Sequence, residues 1–264
     1  MKHLKDIVVE SFFDDDLDSP RSTSILVKDS IKAFLKQNYR GASQCKISRN
    51  PNEDGKYVVD CKGSMMVINN KIESLTNDLF VFGTADHCFE CAACENLTSL
   101  EGAPKVVKES FICSWCTNLV SLKGAPEKVG NVFDCAYCTS LESLEHSPEE
   151  VGGNFRCNNC IKLTSLKGIT QNVKWGIYCN VCKSLTSLEG APKLVKGDFS
   201  CASCSALTSL KYAPREVWGY FSCEACDSLK TLEHSPKIVH GDYFAPWNRK
   251  GEVAKYCNVG RYIR

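Results

Sequence analysis

The sequence predicts a repeat solenoid, mainly β with short parallel strands and irregular convex turns, behind a small α+β N-terminal cap. Three observations carry this. Seven C-x-x-C pairs, from Cys91/Cys94 to Cys223/Cys226, recur every 22 residues without an insertion. Other columns keep the same spacing: Phe89, Phe111, Phe133, Phe155, Ile177, Phe199 and Phe221 before the thiols, Leu97 to Leu229 and Leu100 to Leu232 after them, and Val107 to Val239. The ends of the array change in register with it, since Asn69 stands three before Ile72 as Cys94 stands three before Leu97, and Ala245 and Asn248 fall where an eighth thiol pair would be. A fixed period of this length marks stacked units that each bury an apolar face against their neighbours.

The elements follow in chain order. Residues 1–28 form an acidic leader, whose start "MKHLKDIVVESFFDDDLDSP" has the composition of a tail or linker. Residues 29–63 form the N-terminal cap. There "DSIKAFLKQNY" predicts a short helix with Ile31, Phe34 and Leu35 on one face, and "CKISRNPNEDGKYVVDC" predicts two strands around a turn at Pro51 to Gly55. Residues 64–248 are the solenoid, each turn giving one short strand in which Phe and the first Cys point inward and the residue between them points out. The G-A-P triplet, complete at Gly102, Gly124 and Gly190 and varied but still ending in proline in three other units, marks a turn, and one unit departs with "GITQN" from Gly168 to Asn172. After the second leucine the charge alternates through Glu101, Lys123, Glu145, Lys167, Glu189, Lys211 and Glu233, which predicts a ladder of opposite neighbours that fixes register more than it adds stability. Residues 249–264 form a basic C-terminal cap, and Trp247, Tyr256 and Tyr262 are expected to seal the last turn.

Charge and composition exclude several function classes. With 32 basic and 31 acidic residues the net charge is +1, so no global field draws the chain to nucleic acid or an anionic membrane. No apolar run approaches the roughly 18 residues of a membrane span, and acidic residues stand where a signal peptide has an apolar core. The expected location is a reducing cytoplasm. Eighteen cysteines there argue against a disulfide framework and leave metal binding, catalysis or packing. Seven pairs do not divide into complete four-thiol sites, so the paired thiols are read as small buried hydrophobes and no cofactor is expected. His87, Cys88, Cys91 and Cys94 in "HCFECAAC" form a candidate mixed metal site, against the preferred reading of an exposed thiol beside an exposed histidine. Cys45, Cys61 and Cys257 have no ligand spacing. No phosphate-cradling loop, nucleophile motif or histidine spacing suggests an enzyme.

The unit resembles a leucine-rich repeat, whose L-x-L-x-x-N/C-x-L core appears as "FRCNNCIKL" from Phe155 to Leu163, with one extra residue before the final leucine. The resemblance covers roughly residues 64 to 248 and implies a concave strand face. It also places the second Cys of each pair where such repeats use Asn or Cys to satisfy the turning backbone, so its expected partner is a main-chain carbonyl or a core contact. The form F-x-C…L-T-S-L-x-G-A-P-x-x-V-x-G, preceded by "NEDGKYVVD", resembles repeat proteins encoded by large tailed bacteriophages. "MKHLKDIVVES" is similar to leaders of proteins packaged into phage heads, where a head protease cuts after a glutamate two beyond an aliphatic residue. Val8-Val9-Glu10 fits that pattern, although leucine or isoleucine is the usual first residue. The resemblance implies a phage origin and a place in the host cytoplasm or the virion; it brings no established activity.

Function in a solenoid is expected on the outward columns, which vary while the scaffold columns stay fixed. Between Phe and the first Cys the column runs Glu90, Ile112, Asp134, Arg156, Tyr178, Ser200, Ser222. Trp115 and Tyr137 lie one turn apart at the strand exit and are expected to stack. Together Ile112, Trp115, Val132, Tyr137 and Tyr178, bordered by Asp134 and Arg156, are expected to form an aromatic patch that binds another protein.

Overall fold

The alternation F-x-C gives the shortest strand that can place one residue inward and the next outward. In the computed structural model, which describes residues 20–49 and 56–261, each such pair is a two-residue strand, from Phe89–Glu90 to Tyr243–Phe244. Every strand pairs in parallel with its equivalent in the next turn, so that Phe133 lies between Phe111 and Phe155, and Asp134 between Ile112 and Arg156. With Met65–Val67 these strands make nine consecutive turns of a ten-stranded sheet, whose tenth strand, Tyr39–Arg40, adds antiparallel at the N-terminal end.

Identical side chains one turn apart stack because the register repeats without a slip. The rings of Phe89 and Phe111 lie 5.8 Å apart at 3°, those of Phe111 and Phe133 5.7 Å apart at 8°, and those of Phe199 and Phe221 5.8 Å apart at 6°. Ile177 interrupts this column. Every thiol of the seven pairs is buried, and the second of each pair from Cys116 onward donates to the carbonyl of the first Cys one turn earlier. Cys116 reaches Cys91 O at 3.1 Å, Cys138 reaches Cys113 O at 3.2 Å, Cys160 reaches Cys135 O at 3.3 Å, Cys182 reaches Cys157 O at 3.2 Å, and Cys204 and Cys226 reach Cys179 O and Cys201 O at 3.1 Å. Burial pushes the thiols of Cys113, Cys157 and Cys179 well above the ordinary range, so they stay neutral inside the core.

The valine column forms a second ladder, so each turn contributes two short strands where one was expected. Its first part has six strands, Cys45–Arg49, Tyr57–Cys61, Phe80–Ala85, Val106–Val107, Lys128–Val129 and Glu150–Val151. Its second part has four, Leu194–Val195, Glu216–Val217, Ile238–Val239 and Asn258–Val259. Beyond the bridge from Val151 to Val173 the ladder breaks. The break follows the aberrant "GITQN", where Thr170 Oγ1 donates to Glu149 O at 2.7 Å and Gln171 Nε2 to Gly190 O at 2.9 Å, so side chains bridge to neighbouring turns.

The caps differ from expectation in two respects. The helix spans Pro20–Asn38, nine residues ahead of the expected start at 29, so the leader ends before 20 and not at 28. Proline suits the first helical turn, where its missing N–H costs nothing and its fixed φ is already helical. The added turns pack too, with Val27 against the core below Ile31 and Leu35, and Ser24 Oγ 3.0 Å from the Tyr57 hydroxyl. Residues 1–19, the hairpin turn from Pro51 to Gly55, and Tyr262 lie outside the described residues. At the other end Trp247 is 82% exposed and seals nothing. The last turn is covered by Tyr243, Val253 and Cys257, with Tyr256 half-buried against them. Arg249 explains part of the basic character there: its Nε donates to Leu229 O at 2.8 Å and its Nη1 pairs with Glu252 at 2.7 Å. Of the alternating charge ladder, the described residues close two steps, Lys123–Glu101 at 2.8 Å and Lys167–Glu189 at 3.2 Å.

Candidate functional site

The outward row is built by register alone. Parallel pairing sets Ile112, Asp134, Arg156 and Tyr178 side by side on four consecutive strands. Arg156 is exposed and the other three are half-buried. Asp134 Oδ1 accepts the Ala136 N–H at 2.9 Å while its Oδ2 lies 3.8 Å from Arg156 Nη1. Burial raises the Asp134 carboxyl above its ordinary value, against the opposing pull of that N–H and of Arg156. Val132, half-buried in the neighbouring outward column, has its N–H tied to Ser110 Oγ at 3.3 Å.

At the strand exit the backbone turns through the left-handed region. The residue before each second Cys has positive φ, and none is glycine: Ala93, Trp115, Tyr137, Asn159, Val181, Ser203 and Ala225. From Ala93 to Ser203 this conformation aims the N–H along the stack, Trp115 N to Ala136 O at 2.9 Å and Tyr137 N to Asn158 O at 2.7 Å. It also presents the side chains outward in one file, and the Trp115 and Tyr137 rings meet at 3.9 Å between centroids and 4° between planes. Trp115 is 52% exposed in that stack.

Tyr178 departs from the expected arrangement. Its hydroxyl donates to Asp198 Oδ2 at 2.8 Å and its ring lies against Gly176, where an added Cβ would stand 3.0 Å from Cε2. Burial and the Asp198 carboxylate both raise its hydroxyl pKa. The ring therefore runs along the sheet toward the next turns, and the row ends beyond it, where Ser200 and Ser222 are buried. Of the expected patch, Ile112, Asp134 and Arg156 are neighbours in one row, Trp115 and Tyr137 form a separate stack that is exposed at Trp115 and half-buried at Tyr137, and Tyr178 is anchored at the margin.

The four residues of the candidate metal site are not brought together as ligands. Cys91 and Cys94 are buried in the core, whereas His87 Nδ1 lies 3.0 Å from Glu109 Oε1 and the half-buried Cys88 thiol donates to Glu109 Oε2 at 3.5 Å. Among the described residues no group of three or more His, Cys, Asp or Glu side chains is placed to hold a metal ion, and no helix is long and apolar enough to cross a membrane.

The second ladder carries exposed apolar residues that the sequence did not single out. Leu194 and Ile238 flank Glu216 on its outward row, and Trp218, 57% exposed, donates its Nε1 to Glu216 Oε1 at 3.0 Å. His240 Nε2 lies 2.9 Å from the same oxygen. The signal lay in the variable columns on either side of each valine, which the repeat pattern leaves unspecified. The chain matches no protein family, no curated protein and no solved structure.

Proposed function

We propose that this chain is a non-enzymatic, leucine-rich-repeat-like scaffold of phage origin, acting in the bacterial host cytoplasm, that binds another protein of host or phage on its concave strand face. The observation that carries the reading is the coplanar Trp115–Tyr137 stack, exposed at Trp115 and half-buried at Tyr137. Two rings already fixed by packing on each other lose little freedom when a partner covers them, and aromatic anchors with a charged rim dominate binding energy in protein interfaces. Ile112 and Val132 supply adjoining apolar surface, Asp134 and Arg156 supply the rim, and Tyr178 bounds the patch.

The test is capture of a partner from infected-cell lysate by the immobilised chain. The double variant Trp115→Ala, Tyr137→Ala abolishes capture while leaving the urea unfolding transition in place. Retained capture sinks the reading, and loss of capture in Trp218→Ala instead moves the site to the second ladder. The leader motif Val8-Val9-Glu10 favours a second reading, a virion-associated or packaged cargo protein. It predicts a mature N-terminus at Ser11 in purified particles; an intact Met1 there counts against processing.

A further inference from the structure

Two thiols that stand outside the repeat columns meet in the N-terminal cap. Cys45 and Cys61 lie directly opposite each other in the antiparallel pairing of Cys45–Arg49 with Tyr57–Cys61. The Lys62 N–H donates to Gln44 O at 2.9 Å, which makes Gln44 and Lys62 a hydrogen-bonded pair. Alternation along an antiparallel ladder then makes Cys45 and Cys61 a non-hydrogen-bonded pair, the kind whose Cα atoms approach to about 4.5 Å with side chains closest. That separation falls within the roughly 4.4–6.8 Å that a disulfide spans. Both thiols are on one face: Tyr57, Val59 and Cys61 are the buried alternates of their strand, and Ile47 and Cys45 stand opposite the last two.

The two differ in access. Of the eighteen thiols only Cys45 and Cys88 are not fully buried. The Cys45 thiol donates to Met65 Sδ at 3.5 Å at the edge of the core, whereas Cys61 is buried. A hydrogen bond from Cys61 holds the Cys45 thiol below its ordinary range, and the same bond, with burial, pushes Cys61 up. Of the two, Cys45 is thus the thiol that ionises first and that an outside reagent can reach. The thiols of the array are out of an outside reagent's reach, because they are buried and the second of each pair from Cys116 onward is committed to a main-chain carbonyl.

We propose that Cys45 and Cys61 are a redox-active dithiol that forms a reversible cross-strand disulfide by exchange with a small-molecule disulfide. Cys45, having lost its proton to water, attacks one sulfur of the external disulfide, whose S–S bond breaks and releases one thiolate. Cys61 then loses its proton and attacks the Cys45 sulfur, breaking the mixed S–S bond and releasing the second thiolate. Two cysteine thiols are oxidised, and the external disulfide is reduced to two thiols. The product ties the outermost strand of the six-stranded ladder to the strand inside it, at the unit that covers the first turn.

The full chain is incubated at rising ratios of oxidised to reduced glutathione, quenched with an alkylating reagent and mapped as peptides without reduction. The expected result is a linked Cys45–Cys61 peptide, a thiol count after unfolding that falls by two from eighteen, and slower hydrogen exchange in Cys45–Arg49. In Cys61→Ala the reaction stops with glutathione attached to Cys45. Glutathione accumulating on Cys45 of the unaltered chain without a linked peptide overturns the proposal. So does oxidation that falls first on Cys88.

Discussion

Val181, at φ 59°, is the least comfortable of the left-handed residues, because a β-branched side chain crowds the carbonyl that follows it. Its N–H nevertheless bonds to Ala202 O at 2.9 Å, as Trp115 and Tyr137 bond one turn on, and the repeat imposes the same φ on each. The left-handed conformation costs a non-glycine residue roughly 1–2 kcal/mol. Val181→Gly should therefore raise the stability by about 1 kcal/mol in urea denaturation with an unchanged slope, part of the gain being offset by the entropy of glycine in the unfolded chain. This column was not legible in the sequence, since Ala, Trp, Tyr, Asn, Val and Ser do not announce a positive φ. The other left-handed column was, because glycine marks it at Gly102, Gly124, Gly168 and Gly190, while His146, Tyr212 and His234 adopt the same φ sign without that marker.

Among the elements, the phenylalanine column holds the first sheet in register. Phe133 lies between Phe111 at 5.7 Å and Phe155 at 5.2 Å, so its removal empties a space that neither neighbouring turn can close without shifting the whole stack. Phe133→Ala should cost about 3–5 kcal/mol, measured by the midpoint of urea unfolding. This sheet was legible because six phenylalanines and one isoleucine fell on one spacing. The second ladder was not, since a two-residue strand has no alternation to read and a single valine per turn specifies burial without specifying pairing. The helix start at Pro20 was missed for a related reason: a proline closing an acidic run reads as the end of a tail, and what decides the matter is packing of Val27 against the core and the contact of Ser24 with Tyr57, on a strand some thirty residues on. In the candidate site, the Trp115–Tyr137 stack followed from the period, whereas the turning of Tyr178 toward Asp198 depended on Gly176 leaving room for the ring, a contact between columns that periodicity does not encode.

On the scale of the whole molecule, each turn touches only its neighbours, so stability is a sum of steps and one weak step is felt locally. The second ladder shows which step that is. Its rungs run Gly130 N to Val107 O at 2.8 Å, Gly152 N to Val129 O at 2.8 Å and Lys174 N to Val151 O at 2.9 Å, and they resume with Trp218 N to Val195 O at 2.9 Å. Among the described residues the rung from Lys196 to Val173 is missing from this series. Native-state hydrogen exchange should therefore find the Lys196 amide less protected than those of Lys174 and Trp218; equal protection at all three would mean that the ladder is continuous in solution. The first sheet crosses the same step intact, with Ile177 paired to Phe199. A stack fastened at every step along one side and short of one rung along the other is easiest to bend at that step, where Gly197 N to Trp175 O at 3.1 Å and the Gln171 side chain still join the two turns on the valine side. The row from Ile112 to Arg156 lies wholly on the N-terminal side of it.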